Sequence, residues 1–370
     1  MNFTSCFSSC FSSTSKPGRN ESGGENDQDM CIFTYNELRI VTQNFSSSNK
    51  IGGGGFGTVY KGRLRNGTAV AVKVLSVELE SMRGEREFIS EIAALSNIKH
   101  ENLVTLRGCC VEGANRFLVY DYMENNSLAH TLLAREQNRM QFGWENRREI
   151  LLGIARGLAY LHDEVQPYIL HRDIKASNIL LDQNFTPKVS DFGLSRLLRV
   201  DISHISTHVA GTLGYIAPEY AVSGRLTRKT DVYGFGVLLL EIISGQSVVD
   251  FDLEHGEHYL VQKAWEMYKA NSIIQLVDPT LGMNYPEEEA VRFIKVGLLC
   301  VQEIANLRPG MSEALKMLSN EIDVGPVQVL QPGLVADLMG IKLSRKDSSQ
   351  CSSSNVSSME SRPGLHSAYF

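Results

Sequence analysis

The 370 residues carry a net charge of −6, with 43% hydrophobic and 21% charged residues, so the chain has material for a two-lobed enzyme or two domains with packed cores. That balance argues against a nonspecific grip on nucleic acid, and no apolar run approaches the roughly 18 residues of a membrane span. The seven cysteines show neither a disulfide framework nor metal-ligand spacing, which fits a reducing, cytoplasmic compartment.

Residues 1–32 are rich in Ser, Gly, Asn and Asp and read as a disordered tail. They lack the basic and apolar regions of a secretion signal. Cys6 and Cys10 flank Phe7; doubly acylated they would tether the chain to the plasma membrane, and otherwise they are tail cysteines without function. Thr34 and Glu37 fit a capping box that opens a short helix over residues 33–44. Strand-like runs follow at Thr58–Gly62 and Ala69–Val74, joined by Asn66-Gly67, a hairpin signal. Residues 84–98 return to helical spacing, with Phe88, Ile92 and Leu95 on one face, and two short strands are expected around Leu103–Gly108 and Phe117–Tyr120. Beyond Asp121 the pattern is mainly helical: Ile150, Leu151, Ile154, Leu158 and Leu161 form a stripe. Val232–Ile243 is apolar nearly all round, as in a buried central helix that stops at Gly245. The domain expected over 45–322 divides near residue 122 into a small β-rich lobe and a larger helical one, followed by a Ser-rich, largely disordered tail over 323–370.

Ile51-Gly52-Gly53-Gly54-Gly55-Phe56-Gly57-Thr58-Val59 contains GxGxxG at Gly52, Gly54 and Gly57. Glycines let backbone N–H groups approach phosphate oxygens. By itself the pattern also fits a flexible linker. A dinucleotide fold would open a helix here, but β-branched Thr58 and Val59 and aromatic Tyr60 predict a strand, so a glycine hairpin folded over a nucleotide remains. In Val70-Ala71-Val72-Lys73, strand alternation puts Ala71 and Lys73 on one face. The small residue would admit a base, and the lysine would reach phosphates. Glu91, on the apolar side of the 84–98 helix, would pair with Lys73; Glu87 is one turn away, and spacing does not choose between them.

His171-Arg172-Asp173-Ile174-Lys175-Ala176-Ser177-Asn178 and Asp191-Phe192-Gly193 place acidic residues between apolar anchors. Asp173 is the expected base or hydroxyl orienter, and Lys175 would neutralise a transferring phosphoryl group. Asn178 and Asp191 offer hard oxygen ligands for Mg²⁺, with Mn²⁺ as the alternate ion. This set suits phosphoryl transfer from ATP, which needs positioning and electrostatic stabilisation.

With Ala217-Pro218-Glu219, these elements stand in the order that marks the eukaryotic protein kinases, and the chain resembles that family over residues 45–320. Phe33-Thr34-Tyr35-Asn36-Glu37-Leu38, Leu118-Val119-Tyr120-Asp121-Tyr122-Met123 and Val209-Ala210-Gly211-Thr212-Leu213-Gly214-Tyr215 are most similar to plant receptor-like kinases of the cytoplasmic branch. The resemblance implies an α+β, bilobal kinase fold: a small β-rich N-lobe with one main helix and a larger, mostly helical C-lobe. It implies phosphorylation of Ser/Thr residues on protein substrates in plant signalling, with membrane receptor kinases as upstream partners. It makes Tyr120 the gatekeeper behind adenine and gives the adenine edge to the backbone of Asp121 and Met123, with Leu180 beneath. It pairs Glu219 with Arg308, has Asp231 brace the catalytic loop, and puts Thr212 beside the acceptor. Arg172 would bind a phosphate on the activation segment, at Ser206 or Thr207 among the hydroxyls that include Ser203. Two other readings stay open. One is a catalytically weak scaffold, which would be expected to lack Lys73, Asp173, Asn178 or Asp191. The other is a small-molecule kinase, which the Ala217-Pro218-Glu219 segment disfavours.

Overall fold

The alternating apolar residues of Ala69–Ser76 and the turn before them form the middle of a six-stranded sheet in the computed structural model, which describes residues 30–334 apart from 55–56, 77–81, 135 and 253–255. The strands are β1 (Cys31–Ile32), β2 (Lys50–Gly54), β3 (Gly57–Arg63), β4 (Ala69–Ser76), β5 (Leu106–Glu112) and β6 (Asn115–Asp121), in the order β1-β5-β6-β4-β3-β2. All pair antiparallel except β1, which runs parallel to β5 and sets Ile32 beside Cys109. The Asn66 side chain accepts from the Thr68 N–H at 3.1 Å and closes the β3–β4 hairpin.

Both faces of this sheet are covered. Val70 and Val72 alternate away from Ala71 and Lys73 and join Cys110, Phe117 and Val119 in a cluster capped by Leu38 of α1 (Tyr35–Val41). Thr34 and Glu37 close the capping box at the start of α1. Tyr35, Phe45 and Phe117 pack within 6.0 Å of one another between their ring centres. On the other face, α2 (Arg83–Leu95) buries Phe88 and Leu95 against Leu75 and Leu118.

Three sequence expectations shift. The strand expected at Leu103–Gly108 begins at Leu106, because Leu103 and Val104 turn aside to pair with Val189: the Val104 N–H donates to the Val189 carbonyl at 3.0 Å. Cys31 and Ile32, placed in the tail, form a strand because the β5 edge has open backbone groups that they satisfy. Residues 324–334, also placed in a tail, lie against the C-lobe, with Val324 and Val329 buried. The rest of the 323–370 tail and residues 1–29, with Cys6 and Cys10, fall outside the described residues.

The C-lobe is built on α3 (Trp144–Ala159), α4 (Pro218–Ser223), α5 (Arg228–Ser244), α6 (Leu260–Lys269), α7 (Glu287–Cys300) and α8 (Met311–Leu318). In α5 every residue from Thr230 to Ser244 is buried, which explains its lack of a polar stripe. The helix starts where the Thr227 hydroxyl accepts from the Lys229 N–H at 3.2 Å. It stops at Gly245, whose φ of 64° a side chain would resist. Short strands frame the candidate site: β7 (Tyr168–Leu170) and β8 (Ile179–Leu181) flank the His171–Asn178 loop, and β9 (Pro187–Val189) pairs with β8.

Candidate active site

A cleft of about 740 Å³ opens between the lobes. Its roof is the β2–β3 hairpin, in which Gly52 pairs with Val59, Gly53 with Thr58 and Gly54 with Gly57. Gly57 has a φ of 126°, and a Cβ there would stand 2.2 Å from the Val74 carbonyl oxygen, so the strand can cross this point only without a side chain. Ile51, Gly52, Gly53, Val59 and Ala71 line the upper wall. Thr58 alternates with Val59 and is not among the lining residues, a correction that follows from the period of two along β3. Gly54 closes the hairpin against Gly57 and also stands outside the lining. Gly55 and Phe56 fall outside the described residues. Asp121 and Met123 lie on the strip that joins the lobes, Tyr120 stands behind them, and Leu180 of β8 faces them from below.

The structure selects Glu91 over Glu87. Lys73 Nζ lies 2.6 Å from Glu91 and 2.8 Å from Asp191. Glu87 is taken by Arg83, one turn back on α2, at 2.9 Å. Phe88 and Leu95 turn the inner face of α2 onto the sheet and carry Glu91 with them, buried to 1% exposure. Burial works to lower the Lys73 pKa, but the two carboxylates outweigh it and hold the ammonium well above its ordinary range, so Lys73 stays charged. Burial likewise opposes ionisation of Asp191, yet Lys73 pulls its carboxyl below the usual value. Tyr120 adds a contact that no spacing rule finds: its hydroxyl donates to the second Glu91 oxygen.

Below the cleft, one buried carboxylate holds the catalytic loop. Asp231, in the first turn of α5, accepts the His171 and Arg172 backbone N–H groups at 2.8 Å each and meets His162 Nε2 at 2.9 Å. The Asp173 N–H is donated to His171 Nδ1 at 3.3 Å, which leaves Nε2 to donate to the Ser190 carbonyl at 2.9 Å. The His171 ring also packs edge-on against Phe192. Arg172 (φ 73°) and Asp191 (φ 64°) are left-handed without being glycines. Such backbone costs on the order of 1–3 kcal/mol each and persists only where its surroundings enforce it; here Asp231 and Lys73 do so.

Asp173 is 4% exposed and its carboxylate is fully engaged beside the cleft, which Lys175 and Asn178 line. Oδ1 accepts from the Thr212 hydroxyl at 2.7 Å; Oδ2 meets Lys175 Nζ at 2.8 Å and Asn178 Nδ2 at 3.0 Å. Lys175 also donates to Thr212 at 2.7 Å, closing a triangle. With its amide nitrogen committed to Asp173, Asn178 has its amide oxygen as the end available to a cation, in the same cleft as Asp191. Among the described residues no cluster of three or more His, Cys, Asp or Glu can hold a metal. An amide oxygen and one carboxylate, completed by phosphates and water, are what a small hard cation takes. Val104, Asn126, Ser177 and Ser190 also line the cleft and were missed by motif reading; they lie beside the motifs but carry no distinguishing chemistry.

The activation segment is tied to the same loop. Arg172 donates to the Leu194 and His208 carbonyls at 3.0 and 2.9 Å and to the Tyr220 hydroxyl at 2.7 Å, while its buried Nε has no partner. Ser206 is exposed on a two-residue strand paired with Arg225–Leu226. Arg308 grips both Glu219 oxygens at 2.7 and 2.8 Å. Glu241 of α5 receives the Tyr215 hydroxyl and the Val248 N–H. Burial pushes its carboxyl up from the ordinary 4.5 to about 7. The folded chain therefore holds a proton there that the unfolded chain releases, so this contribution to stability is complete below about pH 4.5 and fades as the pH rises through about 7. Glu241→Gln is expected to remove that fading. Urea unfolding of both proteins between pH 5 and 7.5 should show their stability difference drift steadily, and a constant difference would refute the assignment.

Comparison with known proteins adds the context. A match to the protein kinase domain family covers residues 45–318. The chain is 53% identical over 314 residues to Cold-responsive protein kinase 1 of Arabidopsis thaliana, spanning 84% of this chain and 80% of that one. It is 66% identical over 233 residues to a protein of Helianthus annuus named as a serine/threonine-protein kinase, spanning 62% of this chain and 96% of that one. It is 50% identical over 306 residues to a leucine-rich-repeat receptor-like serine/threonine-protein kinase of Arabidopsis thaliana; that match takes in 83% of this chain but 29% of the receptor.

Proposed function

We propose, starting from the fact that this chain belongs to the protein kinase family and is a serine/threonine kinase, that it moves the γ-phosphoryl group of ATP to hydroxyls of signalling proteins and of its own activation segment. The observation that carries the reading is the Asp173 carboxylate, which already holds a hydroxyl, that of Thr212, at 2.7 Å.

In the reaction the acceptor oxygen forms a bond to the γ-phosphorus, the bond from that phosphorus to the β-bridging oxygen breaks, and ADP leaves. The acceptor proton passes to Asp173, whose carboxylate already takes the Thr212 hydroxyl at hydrogen-bond distance. Lys175, between Asp173 and Thr212, balances charge on the phosphoryl oxygens in flight. Lys73, held by Glu91, fixes the α- and β-phosphates, and the glycine hairpin with Ala71, Leu180 and the backbone of Asp121 and Met123 seats the base. Bound between Asn178 and Asp191, Mg²⁺ would neutralise the phosphate oxygens. Arg172, with one unpartnered buried nitrogen, is the site for a phosphate on Ser206 or Thr207.

Receptor-like relatives support a place in plant signalling downstream of membrane receptor kinases. The buried thiols of Cys109, Cys110 and Cys300 are unpaired, as a reducing cytoplasm would leave them. Among the described residues no helix is long and apolar enough to cross a membrane; acylation of Cys6 and Cys10 would supply a tether. A scaffold without catalysis has no use for the full set of Lys73, Asp173, Asn178 and Asp191.

Purified protein given ATP, Mg²⁺ and a generic protein acceptor should yield phosphoserine and phosphothreonine without phosphotyrosine, and should lose the activity when EDTA removes the cation. Absence of transfer with both Mg²⁺ and Mn²⁺ would overturn the proposal.

A further inference from the structure

The chain continues past residue 318, where the family match ends, and residues 324–334 cross back over the C-lobe. Backbone and side-chain bonds fasten this segment at each step. The Leu330 N–H donates to Gln302 Oε1 at 3.0 Å, the Glu303 N–H to the Gln331 carbonyl at 3.1 Å and the Gly333 N–H to the Val301 carbonyl at 3.1 Å. Gln302 and Pro332 form an isolated bridge. The buried Tyr233 hydroxyl of α5 donates to the Gly333 carbonyl at 2.7 Å. A Cβ at Gly333 would stand 2.7 Å from Pro218 Cγ and 3.1 Å from Glu303 Cα, so the segment lies hard against the start of α4.

Two of these partners, Tyr233 and Glu303, belong to the group that anchors the acceptor side of the site. The Tyr233 ring lies 5.0 Å from the Arg308 guanidinium. Arg308, 1% exposed, holds both Glu219 oxygens and donates to the Glu303 carbonyl at 3.2 Å. Next to Glu219, the Tyr220 hydroxyl takes hydrogen bonds from Arg172 at 2.7 Å and from the Ala210 N–H at 3.1 Å. The path thus runs from Gly333 through Pro218, Tyr233 and Arg308 to the residue before Asp173 and the loop that carries Thr212.

We infer that residues 329–334 are a strap that positions the acceptor-binding half of the active site, acting through Tyr233 and Glu303 on Arg308 and Glu219. Arg308 is a buried charge, whose orientation is fixed only by the oxygens and the ring around it. The strap pins two of these, the Glu303 backbone and the Tyr233 ring, from the side away from the cleft. Its described partners are all in the C-lobe and none lines the nucleotide cleft, so its influence falls on the protein substrate and not on ATP. This inference rests on the phosphotransfer reading above.

Gly333→Val in the full chain drives a side chain into Pro218 and lifts the strap without altering the C-lobe core. The KM for a protein acceptor is expected to rise about fivefold, the weight of one lost buried contact, with KM for ATP and the basal rate of ATP hydrolysis unchanged. Amide hydrogen exchange over residues 205–216 is expected to quicken. Tyr233→Phe, which keeps the ring and removes the hydroxyl that donates to Gly333, should give a smaller shift of the same kind. A lower melting temperature with both KM values and the exchange unchanged, or both KM values rising together, would overturn the inference. A protein inactive before substitution would instead overturn the phosphotransfer reading, and the exchange measurement would still test the strap.

Discussion

Asp173→Asn should lower kcat for a Ser/Thr acceptor by about 10²–10⁴-fold, the span that a positioned general base supplies, while ATP binding and melting temperature stay near wild type. The substitution keeps shape and an acceptor oxygen, so Thr212 retains a partner. It replaces the oxygen that faces Lys175 and Asn178 with an N–H₂ group or rotates it away, and the site loses its only means of taking the acceptor proton at that atom. Steady-state ADP release with a peptide acceptor measures the first quantity and calorimetry the second. An unchanged kcat would remove Asp173 from the mechanism and leave it as a structural carboxylate.

The second large effect concerns Lys73, which serves two carboxylates at once. Lys73→Met is expected to abolish the hold on the α- and β-phosphates, at about 10²–10³-fold in kcat for one lost preorganised donor. It should also destabilise the fold by about 3 kcal/mol, because Glu91 would be left charged and buried. The two effects separate in the double variant Lys73→Met/Glu91→Gln. Removing the orphaned charge should recover most of the melting temperature and none of the activity. A double variant as unstable as the single one would show that Lys73 contributes packing rather than charge pairing.

Much of this site was legible in the sequence, for reasons that differ by residue. The glycine hairpin was separable from a dinucleotide loop because Thr58, Val59 and Tyr60 announce a strand, and Lys73 could be aimed because alternation ties it to Ala71. The choice between Glu91 and Glu87 was not legible: both are buried on the inner face of α2, and only the three-dimensional placement gives Lys73 to Glu91 and Arg83 to Glu87. Spacing also could not foresee the bond from Tyr120 to Glu91, which depends on two rotamers across the core. Tail composition misled at both ends. Cys31 and Ile32 gain their strand only from an edge far along the chain, and residues 324–334 lack the periodicity by which strands and helices declare themselves.

The bond between Tyr233 and Gly333 spans 100 residues, and this has a consequence for biosynthesis. A ribosome delivers the chain from its first residue, so the sheet, α2 and the catalytic loop are all complete while the partner of Tyr233 is still unmade. Until residue 333 leaves the exit tunnel, the underside of Arg308 and Pro218 stays uncovered. The nascent chain can assemble its nucleotide cleft early, but it cannot finish its acceptor side until residue 333 has emerged.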